Sequence, residues 1–206
     1  MAQPLGASAA NGYLHIRMAG LCYDTPSVEA RPFSSDPVHL WCLATQMKPL
    51  LIVISGPPCA GKTTLAKHLG ERFALPVLGK DMLKELLFDT LGWQDREWSR
   101  TLGRASIELL FQFVETQLTA RRSCIVESNF HADVDGSRFL ALRERHAFVT
   151  LNVNCFADSN VLLARFKQRS ASTERHPGHR DHLNYDELRP IMSALHWWTS
   201  TRKRYY

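Results

Sequence analysis

Hydrophobic positions along the chain fall into two regions that differ in pattern. Residues 1–47 carry four prolines and many small residues, and they show no sustained periodicity. We predict that this segment is disordered or is an extension that precedes the folded part, and we assign it no function. Residues 48–206 show regular patterns and are predicted to form one domain.

Short apolar runs in the second region predict buried strands. Leu50 begins a continuous apolar run that ends before Ser55 and Gly56. Such a run is typical of a strand that is buried on both faces of a parallel sheet. Further strands are predicted at residues 76–79, 124–126 and 147–154.

Helical spacing of apolar residues between these runs predicts the helices. They are predicted at residues 63–75, 81–91, 97–121, 134–146, 159–169 and 186–198. Asp81 stands where its side chain can cap the second of them. The longest helix is predicted to present one apolar face, made of Leu102, Ala105, Leu109, Phe113 and Leu118. Strands that alternate with helices predict an α/β fold with a doubly wound parallel sheet.

Composition sets limits on the class of protein. The 206 residues are 45% hydrophobic and 22% charged, with a net charge of +5, which excludes wholesale disorder. No apolar run is long enough for a membrane span. The five cysteines include no CxxC pair, so we expect reduced thiols and a cytoplasmic protein. The mild positive charge fits an acidic partner such as a nucleotide or a nucleic acid.

One motif carries specific chemistry. The segment Gly56-Pro57-Pro58-Cys59-Ala60-Gly61-Lys62-Thr63 satisfies the pattern GxxxxGK[ST]. It follows a predicted strand and opens a predicted helix, which is the arrangement expected of a phosphate-binding loop. Cys59 is expected to be a tolerated small residue; a thiol of lowered pKa at the helix N-terminus is the alternative.

The residue types in this loop suit a nucleotide. Gly56 and Gly61 permit backbone torsions and close approaches that a side chain would block. The loop N–H groups and the N-terminus of the following helix attract phosphates. Lys62 is expected to contact the β- and γ-phosphates, Thr63 to ligate Mg²⁺, and Thr64 to contact a phosphate.

The loop, together with Leu78-Gly79-Lys80-Asp81 and Val126-Glu127-Ser128-Asn129-Phe130, resembles a family of small P-loop kinases. These are the AAA-type ATP-binding protein kinases, which are similar to chloramphenicol phosphotransferase, zeta toxins and the kinase domain of polynucleotide kinase. The resemblance covers residues 48–196. It implies a P-loop NTPase-type three-layer sandwich, with a mostly parallel sheet of four or five strands and helices on both faces.

The resemblance also implies roles for three polar residues near strand ends. In this family an Asp directly after the second strand acts as a base toward the substrate hydroxyl, and Asp81 occupies the matching position; helix capping is the alternative role. Glu127 matches the acid near Mg²⁺, where family members more often carry Asp. Asn129 is expected to contact the substrate or to be a turn residue. Ligands of α/β sheets bind at this carboxyl edge.

Residues 165–182 are rich in cations and are predicted to be a lid. By resemblance, lid arginines close over the transferred phosphoryl group, and we assign Arg169 and Arg175 to this role. The alternative is a solvated basic helix and loop. For Arg165, a position facing the core or solvent is as well supported as one facing the phosphates.

Two features near the C-terminus leave alternatives open. His176, His179 and His182 are predicted not to bind zinc, because a Pro-Gly break interrupts any helical metal face. Contacts to the substrate or to phosphate are one expectation for them, and simple loop positions are the other. The resembled kinases have a fifth strand after the lid, whereas no clear strand is predicted here. Residues 196–206 are aromatic and basic, and are expected to pack on the sheet or fray, with stacking on a base as the alternative.

The sequence therefore predicts an ATP- and Mg²⁺-dependent kinase that phosphorylates a hydroxyl of a small molecule, such as an antibiotic, a sugar or a nucleoside-like acceptor. One alternative is a polynucleotide 5′-hydroxyl kinase. Another is a regulatory protein that binds a nucleotide and hydrolyses it slowly or not at all. The expected partners are a nucleotide and a small-molecule acceptor, with nucleic acid less favoured and no membrane. The acceptor, the choice between ATP and GTP, and the oligomeric state are not specified.

Overall fold

A five-stranded sheet forms the centre of the fold. The computed structural model describes residues 12–19, 47–172 and 176–179. The strands are β1 (Gly12–Ala19), β2 (Leu50–Ser55), β3 (Val77–Gly79), β4 (Cys124–Glu127) and β5 (Val149–Ala157), in the spatial order β1-β5-β2-β4-β3. Strands β5, β2, β4 and β3 are parallel, and β1 is antiparallel to β5. The mostly parallel α/β sheet is therefore confirmed.

Helices connect the parallel strands, and a further helix follows β5. They are α1 (Lys62–Phe73), α2 (Lys80–Leu91), α3 (Arg96–Thr119), α4 (Ala132–Arg145) and α5 (Ser159–Ser170), and a 3₁₀ turn spans Pro177–His179. The five helices begin and end within two residues of their predicted bounds. The predicted helix at 186–198 and the cluster at 196–206 lie outside the described residues. Among the described helices, none has both the length and the apolar character that a membrane span needs.

Successive residues of β2 face opposite sides of the sheet, as strand geometry requires. Leu51 and Val53 belong to one core cluster, which includes residues of α3 and Leu142 of α4. Ile52 and Ile54 belong to a second cluster on the other face, which includes Ala66 of α1. Helices therefore cover both faces of the sheet, and the predicted three-layer sandwich is confirmed.

The predicted apolar face of α3 is only partly right. Leu102 and Leu118 are buried, but Leu109 is 46% exposed. Ser106, which was not assigned to the face, is fully buried and donates its hydroxyl to the Leu102 carbonyl at 2.7 Å. The buried stripe recurs every four residues and consists of Leu102, Ser106, Leu110, Val114 and Leu118.

The predicted cap of α2 is also wrong. The helix begins at Lys80, and its N-cap is Gly79 in an extended conformation, with no side-chain cap among the described residues. Asp81 lies inside the first turn, two positions after the N-cap. Its charge is still favourable near the positive end of the helix.

Strand β1 lies in the segment for which no element was predicted. Its backbone pairs with β5 from Gly12 opposite Ala157 to Ala19 opposite Thr150. The fifth strand of the described sheet therefore comes from before β2, whereas the fifth strand of the resembled kinases follows the lid. Residues after 179 lie outside the described chain.

Candidate active site

The loop between β2 and α1 is shaped by two glycines. Gly56 has a φ of +140°, and a Cβ added there would lie 2.0 Å from the backbone oxygen of Cys155 in β5. Gly61 has a φ of +88°, and no described atom lies within 4 Å of its added Cβ. Gly56 is therefore required for both space and torsion, whereas Gly61 is required for torsion alone.

The side chain of Lys62 folds back onto the backbone of the phosphate loop. Lys62 Nζ donates a hydrogen bond to the Pro57 carbonyl at 2.9 Å, and the Ala60 N–H donates to the same oxygen at 3.4 Å. The four residues between the glycines, Pro57, Pro58, Cys59 and Ala60, are half-buried. The ammonium of Lys62 is thus held across the mouth of the loop, where phosphate oxygens can replace the carbonyl contact.

The N-terminus of α1 faces this loop with its donors available to an anion. Gly61 is the N-cap residue, and no side chain caps the helix within the described chain. Thr64 lies exposed in the first turn. Orphan N–H groups at a helix start, with the positive end of the helix dipole, form a phosphate site.

Thr63 and Glu127 meet across the sheet edge. The Thr63 Oγ1 donates to Glu127 Oε2 at 2.9 Å, although the two residues are 64 positions apart. Glu127 ends β4, is only 4% exposed and lies against Gly79, the last residue of β3. A hydroxyl and a buried carboxylate at this spacing are oxygen ligands of the kind that Mg²⁺ prefers.

The pKa of Lys62 is shifted by burial and by the charges of other predicted site residues. Burial lowers the pKa of Lys62, while the carboxylates of Glu127 and Asp81 act against this shift. The charge of Arg169 adds to the lowering of the Lys62 pKa. Glu127, Asp81 and Arg169 therefore each lie within electrostatic range of Lys62, although the four residues come from four different elements.

Asn129 lies beside the start of α2. Its Oδ1 accepts a hydrogen bond from Lys80 Nζ at 3.3 Å and one from the Ser128 hydroxyl at 3.4 Å. Asp81, the next residue after Lys80, is half-buried. Asn129 is therefore linked by a hydrogen bond to the residue that precedes Asp81.

Helix α5 packs against the outside of the loop. Leu162 and Phe166 are buried there in a cluster that includes Cys59. Arg165 Nη1 donates to the Cys59 carbonyl at 3.3 Å, so Arg165 contacts the loop backbone, an assignment that sequence reasoning left open. The Arg169 guanidinium carbon lies 5.4 Å from the Phe166 ring centroid. Arg175 lies outside the described residues.

The histidine-rich segment after α5 docks on α2. His176 Nε2 lies 3.0 Å from Asp89 Oδ1, and His179 Nε2 lies 2.8 Å from Glu85 Oε1. Both imidazole rings contact Phe88, at centroid distances of 5.2 and 5.4 Å. Within the described parts of the chain, no group of His, Cys, Asp and Glu could hold a metal ion.

A cationic cleft next to Asn129 was missed by the sequence analysis. It is lined by residues of α2, α3 and α4 and by the segment that follows β4, and we call it the basic cleft. Its cationic side chains are Lys80, Lys84, Arg96, Arg100, Arg104 and Arg138. The available signal was the recurrence of arginine every four residues at 96, 100 and 104, which places all three on one face of α3.

The glycine loop, the strand order and the carboxylate opposite Thr63 define a P-loop protein with a kinase-like fold. Residues 51–187 match the family described as AAA domain, and the chain belongs to that family. A solved structure of a candidate kinase from Chloroflexus aurantiacus is 40% identical, with a TM-score of 0.66. The match covers 70% of this chain and 80% of that one.

Other solved structures are similar at lower levels. A chain of the Pnkp1/Rnl/Hen1 RNA repair complex is 14% identical with a TM-score of 0.46, over 70% of this chain and 45% of that one. A gluconokinase from Sinorhizobium meliloti is 17% identical with a TM-score of 0.37, over 69% and 77% of the two chains. Both are too distant to bear on the chemistry of this protein. No curated protein matches the sequence.

Proposed function

We propose that this protein is an ATP- and Mg²⁺-dependent kinase that transfers the γ-phosphoryl group to a hydroxyl of a small molecule. The observation that carries the proposal is the 2.9 Å contact between Thr63 Oγ1 and Glu127 Oε2. It joins the last residue of the phosphate-loop motif to a buried acid at the end of the neighbouring strand. This pairing has no role in an ordinary glycine turn, but it suits a metal–nucleotide complex.

The residues present fit both groups that the reaction needs. The loop N–H groups, the start of α1 and Lys62 would hold the phosphates of ATP, with Thr64 as a further hydroxyl donor. Thr63 and Glu127 would hold Mg²⁺, which supplies charge neutralisation on the transferred group when it is bound. Pro57, Pro58, Cys59 and Ala60 contribute loop backbone to the same cradle.

Asp81 would act on the acceptor. In the transfer, the acceptor oxygen forms a bond to the γ-phosphorus, and the bond between that phosphorus and the β–γ bridging oxygen breaks. The hydroxyl proton passes to the Asp81 carboxylate and then to solvent, leaving a phosphate monoester and ADP. A carboxylate in this role mainly orients the hydroxyl, because phosphoryl transfer depends on positioning and charge stabilisation.

Two lid arginines and Asn129 complete the proposed site. Arg169 would stabilise charge on the transferred phosphoryl group, which its electrostatic proximity to Lys62 supports. Arg175 is proposed for the same role from the sequence resemblance alone. Asn129 would contact the acceptor, since it accepts a hydrogen bond from Lys80, the residue next to Asp81.

The test is Mg²⁺-dependent transfer from ATP to a panel of hydroxyl compounds, measured as ADP release and as labelled product. We expect K62A to lower kcat/KM by roughly 10²–10³-fold, and D81N to lower kcat with little change in ATP affinity. K67A, on the exposed side of α1, and D133N, in the first turn of α4, are matched controls that should retain activity.

Two results would contradict the proposal. One is a K62A protein with wild-type turnover. The other is a wild-type protein that binds ATP but transfers phosphate to none of the acceptors, which would favour the regulatory alternative. The polynucleotide 5′-hydroxyl kinase alternative is supported by the basic cleft, and oligonucleotide acceptors therefore belong in the panel.

A further inference from the structure

The phosphate loop contains a tight turn with an unfavourable backbone conformation at its third residue. Residues 57–60 form a β-turn, closed by a hydrogen bond from the Ala60 N–H to the Pro57 carbonyl at 3.4 Å. Cys59, the third residue of this turn, has a φ of +64°. A positive φ at this position is typical of a type II turn, in which the position favours glycine. Because Cys59 has a Cβ, this conformation costs free energy that other contacts of the loop must offset.

Helix α5 makes a hydrogen bond to this turn. Arg165 Nη1 donates to the Cys59 carbonyl at 3.3 Å, and a charged donor makes a stronger hydrogen bond than a neutral one. The helix is fixed at this place by Leu162 and Phe166, which are buried in a cluster that includes Cys59. Arg165 itself is half-buried. Its guanidinium group stays charged over the whole physiological pH range, so the contact does not depend on a titration.

The carbonyl contact sets the direction of the next peptide N–H. The peptide bonds of the described chain are trans, and in a planar trans peptide the C=O and N–H point in opposite directions. The Cys59 carbonyl points to α5, so the Ala60 N–H points into the loop. There it meets the Pro57 oxygen, to which Lys62 Nζ also donates at 2.9 Å. Two donors therefore converge on one oxygen atom, an arrangement that suits an oxygen of a phosphate group.

We propose that Arg165 is a positioning residue for nucleotide binding, which holds the Cys59 carbonyl so that the Ala60 N–H points at the phosphates. The inference rests on the proposed function and adds a residue to its nucleotide site. Arg165 acts through the loop backbone, so its effect should depend on the residue at position 59. A guanidinium group that contacted the nucleotide directly would act independently of that residue. This difference separates the two roles by experiment.

Nucleotide binding is measured first, because it needs no acceptor. The full chain is titrated with a non-hydrolysable ATP analogue and Mg²⁺ in a calorimeter, and thermal unfolding checks that each variant is folded. R165M keeps the apolar stem of the side chain, and therefore the packing of α5, but has no donor. We expect R165M to weaken binding roughly tenfold, and R165K, which keeps a charged donor, to recover part of the loss. R143A, which removes an exposed arginine of α4, is the matched control and should bind within twofold of the wild type.

The transfer assay separates binding from chemistry. R165M should raise the KM for ATP by a factor similar to its loss of affinity, while kcat at saturating ATP stays within about threefold of the wild type. A residue that stabilised the transferred phosphoryl group would lower kcat instead. A kcat that falls roughly tenfold or more, with an unchanged KM for ATP, would overturn the positioning role.

The variant Cys59→Gly shows whether Arg165 acts through the turn. Glycine adopts a positive φ without strain, so the turn should no longer depend on the contact with Arg165. We expect R165M to weaken binding roughly tenfold in the wild-type background, but about threefold or less in the C59G background. An equal loss in both backgrounds would overturn the proposal, because it would assign Arg165 to a direct contact with the nucleotide.

Inorganic triphosphate with Mg²⁺ tests the same contact without a base. Because the Ala60 N–H faces phosphate oxygens, we expect R165M to weaken the binding of triphosphate by the same factor as that of the ATP analogue. A loss that is confined to the nucleotide would assign Arg165 to the base and would overturn the positioning role.

Failure of this inference differs from failure of the proposed function. If the wild type binds the ATP analogue but transfers phosphate to no acceptor, the kinase function fails, while the comparison of R165M in the two backgrounds still supports the positioning role. If the wild type transfers phosphate and R165M binds the analogue as tightly as the wild type, the positioning role fails and the kinase function stands. A wild type that binds neither the analogue nor triphosphate would overturn both.

Discussion

Gly79 lies so close to the Glu127 carboxylate that a Cβ at residue 79 would be 3.0 Å from Oε1 and 3.1 Å from Cγ. The two residues are paired at the ends of β3 and β4. Because Gly79 has no side chain, there is room beside it for the Glu127 carboxylate, which accepts the hydrogen bond from the Thr63 hydroxyl. A glycine at the end of one strand sets the position of a carboxylate on the next.

We expect Gly79→Ala to displace the Glu127 carboxylate by a few tenths of an ångström and to weaken its use as a metal ligand. The expected result is a kcat lowered roughly tenfold, about 1.4 kcal/mol of transition-state stabilisation, and a higher Mg²⁺ concentration for half-maximal activity. A titration of activity with Mg²⁺ measures both. If Gly79→Ala lowers activity without changing the Mg²⁺ requirement, the carboxylate does not act through the metal.

The two loop glycines should respond differently to the same substitution. In Gly56→Ala, the added methyl group meets the Cys155 carbonyl, which the β5 backbone holds in place, so we expect the free energy of unfolding to fall by roughly 4 kcal/mol or more. In Gly61→Ala the space is open and only the positive φ is unfavourable, which costs about 1–2 kcal/mol. Urea unfolding of both variants measures the difference, and equal losses would contradict this explanation.

Much of the fold could be predicted because each strand and helix has a local pattern. The apolar run at 50–54 and the glycine-rich turn after it define β2 and the loop without tertiary information. Strand β1 carries the short alternation of a strand, with Leu14, Ile16 and Met18 on either side of His15 and Arg17, but it was missed because the proline-rich segment around it shows no sustained periodicity. The face of α3 was partly misassigned because Ser106 satisfies its own hydroxyl within the helix and can therefore be buried.

Spacing alone assigned site residues only where a motif spans adjacent positions, and Glu127 and Asp81 were assigned from the family resemblance. The loop and Thr63 follow from the GxxxxGK[ST] spacing, whereas the contact between Thr63 and Glu127 depends on β2 and β4 being neighbours in the sheet. The basic cleft depends on α3 and α4 facing each other across a pocket. Arg165 was ambiguous for the same reason, since its contact with the Cys59 carbonyl joins residues 106 positions apart.

Stability at alkaline pH should depend on the buried thiol of Cys124. Burial raises the pKa of Cys124 to about 12, from an ordinary value of 9.0. The folded state therefore keeps this proton after the unfolded state has lost it. The resulting stabilisation is fully present below pH 9 and is lost as the pH rises toward 12. The slope contributed by one such thiol is about 1.4 kcal/mol per pH unit.

The measurement is urea unfolding of the wild type and of Cys124→Ala between pH 8 and 11. Other groups titrate in this range, so the informative quantity is the difference between the two proteins. We expect the wild type to be more stable at pH 8 and the difference to shrink as the pH rises. Parallel stability curves would show that the Cys124 thiol does not titrate differently in the two states.

Docking of residues 176–179 on α2 should contribute to both stability and turnover. His179 is 6% exposed and pairs with Glu85, and a Cβ at Gly178 would lie 2.7 Å from the Phe88 ring. We expect His179→Ala and Gly178→Ala each to lower the free energy of unfolding by about 1–3 kcal/mol. Because Arg175 adjoins this segment, we also expect kcat to fall roughly tenfold, with ATP affinity unchanged.

A second histidine–glutamate pair provides the matched control for this docking. His146 Nε2 lies 3.5 Å from Glu115 Oε1, between α4 and α3 and away from residues 176–179. His146→Ala should therefore lower stability without lowering kcat, whereas His179→Gln, whose amide can still donate to Glu85, should recover part of the activity lost in His179→Ala. If His146→Ala and His179→Ala lower kcat equally, the loss reflects stability alone and the docked segment has no part in turnover.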